Sequence, residues 1–148
     1  MKTSRASVLF LVSVLLTTQA VVAADALLVR SAKSGAWSDA KTWEGGKLPP
    51  AGAKVLVRPG HDVLYDMNSS QPVRSLHIGG TLRFATDRDT RLDVGLIKVQ
   101  AGEDVNEEGF DCEAHLATPA PDAPRATLLV GTAEQPVEAK HTALIRLT

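Results

Sequence analysis

Three aspartates and one histidine lie close together in the chain, at the ends of short alternating segments. Asp39 lies two residues after Trp37, and Asp62 and Asp66 are the ends of a short run that follows His61. Glycoside hydrolysis uses a pair of carboxyl groups separated by roughly 5–9.5 Å. On one strand, Asp62 and Asp66 would share a face but lie about 13 Å apart. The spacing therefore favours aspartates that cap turns. We nevertheless keep Asp39, His61, Asp66 and Arg74 as candidates for ligand binding, because their side chains could gather near the corners between strands.

The two tryptophans, Trp37 and Trp43, are the only ones in the chain and lie six residues apart. Their indole faces could stack on sugar rings, since an indole combines a large apolar area with one polar edge. Alternatively, they plug one end of the fold and bond their N–H groups to loop carbonyls. The polar residues between them suit one short helical turn capped by Asp39 or Ser38. This spacing favours the plug, and both tryptophans stay ligand-binding candidates.

Motifs for metal, cofactor or nucleophilic chemistry are missing from the sequence. The four histidines, His61, His77, His115 and His141, are too scattered for a metal motif. Neither GxSxG nor a phosphate-binding or dinucleotide-binding glycine loop occurs. We therefore predict no catalytic residue, no metal and no cofactor in this chain. Cys112 is the only cysteine, so no intrachain disulfide can form, and we interpret it as an unreactive thiol in a loop.

Short alternating segments separated by glycine and proline predict an all-β domain with little helix. Val55 and Val57 share one face of a strand, as do Leu76 and Ile78, which leaves His77 facing outward. From Leu76 onward, strands, glycines and polar corners alternate, which is typical of a right-handed β-helix-like coil with short stacked strands. An antiparallel β-sandwich would give the same local pattern and stays the alternative. The predicted core consists of Val55, Val57, Val63, Leu76, Ile78, Leu82, Phe84, Ile97, Val99, Leu129, Leu144 and Ile145.

Residues 1–24 have the composition of a signal peptide. Lys2 and Arg5 precede an apolar run of 11 residues, Ala6 to Leu16, which is too short to span a bilayer. Cleavage before Asp25 would leave 14 basic and 17 acidic residues, a net charge of −3. We therefore predict a secreted or periplasmic domain over 25–148, with no transmembrane span after cleavage. Because no basic patch is visible, nucleic acid is not an expected partner.

Residues 103–125 interrupt the strand pattern. The segment is acidic in its first half, and Pro119, Pro121 and Pro124 in its second half exclude a central strand. We predict an exposed loop insertion. The chain ends at Thr148 in a strand-like segment, which would leave an uncapped sheet edge. We therefore expect either a truncated part of a longer protein or a domain that pairs this edge.

The order of motifs from Ser34 to the C-terminus can be compared with a known family. In sequence these motifs are Trp37-Ser38-Asp39, Thr42-Trp43, Gly46, Pro49, Gly52, Val55-Leu56-Val57, Pro59-Gly60-His61, Val63 to Asp66, Ser75 to Leu82, Ile97-Lys98-Val99, Gly102 and Gly131 to Pro136. Their order resembles the G8 domain, an extracellular β module named for its recurring glycines. The chain departs from that pattern in the insertion after Gly102 and at Val137, where an aromatic residue usually follows the proline.

The resemblance implies a function outside the cell. G8 domains occur in extracellular and membrane-anchored proteins, including ones linked to hyaluronan binding and breakdown. We therefore expect an exported module that binds or helps to process an extracellular ligand, with a polysaccharide as the partner. The first hypothesis is the N-terminal binding or capping part of a β-helical protein. The alternatives are a fragment of a hyaluronan-type polysaccharide-degrading enzyme and a purely structural, adhesin-like domain.

Overall fold

The structure, a computed structural model, describes residues 26–107 and 125–148. The predicted signal peptide, Cys112 and most of the predicted insertion at 103–125 lie outside these residues. Strands make up 42% of the described residues and helices 6%. The prediction of an all-β domain with little helix is therefore confirmed.

Within the described residues the chain forms nine strands and two short 3-10 helical turns. The 3-10 turns are Ala40–Thr42 and Glu44–Gly46. The strands are β1 (Leu28–Arg30), β2 (Gly35–Ala36), β3 (Lys54–Val57), β4 (Asp62–Tyr65), β5 (Val73–Ile78), β6 (Thr81–Phe84), β7 (Thr90–Val99), β8 (Thr127–Leu129) and β9 (Ala143–Leu147).

The strands form two sheets that the chain visits alternately. The first sheet has the order β1-β3-β5-β7-β9 and the second the order β2-β4-β6-β8. All pairs of neighbouring named strands are parallel. Val55, Leu76 and Ile97 lie side by side at intervals of 21 residues. Residues far apart in the chain therefore come together on one face of each sheet.

Glycine is required at the corner between β5 and β6. A Cβ atom at Gly80 would overlap the carbonyl oxygens of Arg58 and His61, which belong to the preceding corner. The neighbouring corners can therefore approach each other only because this position has no side chain. The amide of Thr81 donates to the carbonyl of His61 at 2.8 Å, which fixes the start of β6 beside β4.

Apolar side chains from both sheets form one core cluster. The predicted residues Val55, Val57, Val63, Leu76, Ile78, Leu82 and Phe84 are buried in it, and Ile97 and Ile145 are partly buried against it. The prediction was wrong for Val99 and Leu144, which are 42% and 43% exposed. Leu129 is only half-buried and is not part of the cluster.

The sequence analysis also omitted two core residues of β7, Leu92 and Val94. Thr90 to Val94 pair with β9, and Leu96 to Val99 pair with β5. Leu92 and Val94 point into the core, and so does Ile97, whereas Gly95 and Leu96 between them are exposed. Even-numbered residues therefore face the core in the first half of this strand, and the odd-numbered Ile97 faces it in the second half. An alternation counted backwards from Ile97 consequently places Leu92 and Val94 on the wrong face.

Candidate functional site

The two tryptophans are buried at the N-terminal end of the fold. Trp37 is 5% exposed and Trp43 is 2% exposed. The indole N–H of Trp43 donates to the carbonyl of Trp37 at 2.8 Å, and the two ring centroids lie 4.6 Å apart at an angle of 73°. The prediction that both rings are mostly buried is confirmed. Because neither ring has an open face in this arrangement, the geometry fits the plug, and ligand binding by Trp37 or Trp43 stays a prediction.

A column of aromatic rings continues from the tryptophans across the second sheet. The rings of Trp37 and Tyr65 have centroids 5.0 Å apart, and those of Tyr65 and Phe84 are 4.9 Å apart. The Tyr65 hydroxyl donates to the carbonyl of Arg91 at 2.6 Å. Burial raises the pKa of this phenol well above its ordinary value, so Tyr65 stays a neutral donor and a structural element.

The candidate aspartates belong to separate hydrogen-bonded turns. Asp39 caps the first 3-10 turn, as predicted, and accepts from the amide of Lys41 at 2.9 Å. Asp66 accepts from the amide of Ser38 at 3.0 Å and also from its hydroxyl. Asp62 instead accepts from Nε of Arg83 on the next strand, at 2.8 Å. The structure therefore does not combine Asp62 and Asp66 into one carboxylate pair.

His61 is hydrogen-bonded to a serine that the sequence analysis did not single out. The Ser31 hydroxyl lies 2.8 Å from Nδ1 of His61 and accepts from the amide of Arg58 at 2.9 Å. A serine beside a histidine is the arrangement of nucleophilic catalysis. However, Ser31 is completely buried, so a substrate cannot reach its oxygen. The pair instead joins the corner after β1 to the corner after β3.

The outward face of the first sheet is covered by residues 103–107, which we call the acidic strap. His77 alternates with core residues, as the sequence analysis described, yet it is only 3% exposed. Its Nδ1–H donates to the carbonyl of Asp104 at 2.9 Å, and its Nε2 has no partner among the described residues. Burial lowers the pKa of His77, as does the nearby Lys98, against the opposing effects of Asp104 and Glu107.

The strap lies against four cations, which we call the outer ladder: Lys54, Arg58, Arg74 and Lys98. Glu107 accepts from Nε and Nη2 of Arg74 at 2.8 and 2.7 Å, and one of its oxygens lies 3.7 Å from Nζ of Lys54. Glu103 lies 3.5 Å from Arg58, which pairs more closely with Glu44 outside the strap. Asp104 lies 3.7 Å from Lys98. The hydrogen bonds from Arg74 lower the pKa of Glu107 to about 2.

A groove of about 460 Å³ lies on the outward face of the second sheet. Its floor includes Leu64, Arg83 and Leu129, which are register partners on β4, β6 and β8. Adjacent strands are about 4.8 Å apart, so these three positions span about 10 Å across the strands. The groove therefore crosses three consecutive strands and has room for an extended ligand.

Two corner loops form the polar walls of this groove. One wall includes Thr86, Asp87 and Arg88, and the other includes Thr132 and Gln135. The carboxylate of Asp87 accepts from Arg88 at 2.9 and 3.1 Å, and this pairing lowers the pKa of Asp87.

Backbone hydrogen bonds fix both walls. The amide of Glu138 donates to the carbonyl of Thr86 at 3.0 Å, and the amide of Thr132 donates to the carbonyl of Gln135 at 2.9 Å. The walls are therefore held together without using the side chains of Thr86 or Gln135.

None of the sequence-predicted candidates lines this groove. Trp37, Trp43, Asp39 and Asp66 lie at the N-terminal end, His61 lies at a corner, and Arg74 lies on the first sheet. The motif Gly131 to Pro136 could have pointed to the groove, because it contributes one wall. The sequence analysis noted this motif only as part of a family pattern. In 26–107 and 125–148, no group of three or more His, Cys, Asp or Glu side chains could hold a metal ion.

The chain thus forms a β-rich domain of parallel strands with a groove on the outward face of its second sheet. A comparison with known protein families matches residues 42–148 to the G8 domain. The chain therefore belongs to the G8 domain family, an extracellular β-rich domain family. Neither a curated protein nor a solved structure matches the chain. Over the parts of the chain that the structure describes, no helix is long and apolar enough to cross a membrane.

Proposed function

We propose that the chain is an exported G8 module that binds an extracellular polysaccharide in the groove of the second sheet. In this proposal the alternating parallel strands are the turns of a right-handed β-helix. The observation that supports it best is the position of Leu64, Arg83 and Leu129 side by side on three strands. A groove across stacked strands runs parallel to the axis of such a coil and fits a linear polymer.

The chemistry of the groove suits a sugar chain. Leu64, Leu129 and Pro136 offer apolar area to the C–H faces of sugar rings. Thr86 and Gln135 offer a hydroxyl and an amide that can both donate to and accept from sugar hydroxyl groups. Because the backbone already holds the loops together, these side chains are available without unfolding either wall.

The same groove favours binding over hydrolysis. Asp87 and Glu138 both line it, and a pair of carboxyl groups is what a glycosidase needs. A general acid, however, requires a raised pKa, whereas the pairing with Arg88 lowers that of Asp87. Glu138 is also ion-paired, with Lys140 at 3.1 Å, so neither carboxylate has the unpaired, desolvated surroundings that a general acid needs. The degrading enzyme is therefore the second candidate.

A glycan array of the purified chain tests this function, followed by affinity measurements on the best ligand. Gln135→Ala removes the amide but keeps the backbone hydrogen bonds of its turn. We expect the variant to bind several-fold more weakly, since a typical hydrogen bond contributes about 0.5–1.5 kcal/mol. Lys41→Gln, at the far end of the fold, is the control and should bind like the unmodified chain.

Two results would contradict the proposal. If no polysaccharide binds, the structural, adhesin-like alternative is supported. If a polysaccharide binds but Gln135→Ala has no effect on its affinity, the ligand does not occupy this groove. Release of shortened sugar products during the incubation would instead support the enzyme alternative.

A further inference from the structure

We propose that the outer ladder of the first sheet is a second binding site, for a polysaccharide that has carboxylate groups, and that the acidic strap occupies this site in cis. The site is distinct from the groove, which lies on the other sheet. Its ligand is a polyuronate, recognised through its carboxylates. The strap competes with this ligand for the same cations.

The cations of the ladder come from three adjacent parallel strands and one following corner. Lys54 is on β3, Arg74 on β5 and Lys98 on β7, and Arg58 directly follows β3. Strand spacing separates β3 from β7 by about 10 Å. In the register Lys98 is level with Leu56, two residues beyond Lys54. The cations therefore form a diagonal band of positive charge across the sheet, which matches a polymer with regularly repeated carboxylates.

Glu107 shows how a carboxylate fits this band. It takes two hydrogen bonds from the planar guanidinium of Arg74, the bidentate geometry that arginine prefers for carboxylates. It also lies 3.7 Å from Lys54. A uronate carboxylate has the same shape and charge as this side chain, so it can take the same position.

The strap is suited to displacement. Glu103 and Asp104 have side chains that are more than half exposed, and exposed ion pairs contribute little net stability. Beneath the strap, Nε2 of His77 is buried without a hydrogen-bond partner. While the strap covers the ladder, Nε2 of His77 is therefore a buried polar atom without a partner, which is unfavourable. Displacement of the strap would expose this atom to water.

A polysaccharide fits this face better than a nucleic acid does. Proteins that bind single-stranded nucleic acid usually combine cations with exposed aromatic rings on which bases stack. The four aromatic residues of the described chain, Trp37, Trp43, Tyr65 and Phe84, are all buried in the core cluster. The outer ladder therefore offers charge without a stacking surface.

Binding of polygalacturonate to the purified full chain tests the proposal by titration calorimetry. Glu107→Gln removes the charge of a bidentate partner of Arg74 that is only 25% exposed, and we expect it to raise the affinity about tenfold, the factor that corresponds to a hydrogen bond to a charged group. Glu134→Gln makes the same change in net charge at an exposed position away from the ladder and should have no comparable effect. Arg74→Gln added to Glu107→Gln should abolish the gain.

A second variant keeps the test valid if Glu107→Gln folds poorly. Asp104→Asn removes the charge opposite Lys98 but keeps the carbonyl that accepts from His77. It should also raise the affinity, and Gln135→Ala in the groove should leave that gain intact.

Three results would overturn the proposal. The first is equal binding by Glu107→Gln and Glu134→Gln, since net charge alone would then explain the effect. The second is a gain that survives Arg74→Gln. The third is an equal gain for a single-stranded DNA probe, which would indicate a general polyanion surface instead of a polyuronate site.

Discussion

Replacing Trp43 with alanine should destabilise the protein more than any surface substitution. The side chain is 2% exposed, packs edge-to-face on Trp37 and donates its N–H to the Trp37 carbonyl. Removing a buried tryptophan costs about 3–5 kcal/mol. At about 4 °C for each kcal/mol, the melting temperature should fall by about 12–20 °C. A thermal melt followed by circular dichroism measures this change.

Two companion variants separate the contributions of Trp43. Trp43→Phe keeps an aromatic ring but deprives the Trp37 carbonyl of its donor, so it should cost about 1–3 kcal/mol. Leu147→Ala is the control, because this residue is 70% exposed and should change stability by less than about 0.5 kcal/mol. If Trp43→Ala melts like Leu147→Ala, the two rings do not plug the end of the fold, and the reasoning fails.

Three further predictions concern the core, a corner and pH. Leu76→Ala should cost about 2–5 kcal/mol, whereas Leu144→Ala should cost less than about 1 kcal/mol because its side chain is 43% exposed; urea unfolding distinguishes them. Gly80→Ala should destabilise by about 1–3 kcal/mol, since its Cβ overlaps two carbonyl oxygens, and an unchanged urea midpoint would contradict this. The pKa of His77 is lowered by burial, so the unfolded chain binds its proton more readily, and the stability from this group should be lost as pH falls below about 6.5. Unfolding of His77→Gln at pH 7.5 and 5 should show a weaker pH dependence than the unmodified chain.

Local sequence patterns were sufficient to predict several strands and one corner, although not β2. The alternation around Val55 and Leu76 and the glycines at 79–80 correspond to β3, β5 and their corner. The pairing of strands is harder to predict, because it joins residues between 19 and 53 positions apart. Between Leu82 and its partner Leu128, the interval is 46 residues, so no constant period identifies the register there.

The candidate sites were difficult to predict for the same reason. Lys54, Arg74 and Lys98 are scattered in the sequence and form a cluster only through the parallel register. The alternation of His77 with its neighbours correctly placed it on the outward face. It could not show that the strap covers that face, because contacts between distant segments leave no periodic signal. Arg83 was likewise missed as part of the groove, since its neighbours there belong to other strands.

The position of both tryptophans at one end has a consequence for how unfolding is observed. Trp37 and Trp43 lie beside β1 and β2, whereas β7 and β9 are at the other edge of the first sheet. In a stack of strands that contact mainly their neighbours, the ends can open separately. Intrinsic fluorescence would then follow only the N-terminal end, and amide hydrogen exchange would follow the remaining strands. Coincident transitions by the two methods would show that the whole stack unfolds as a single cooperative unit.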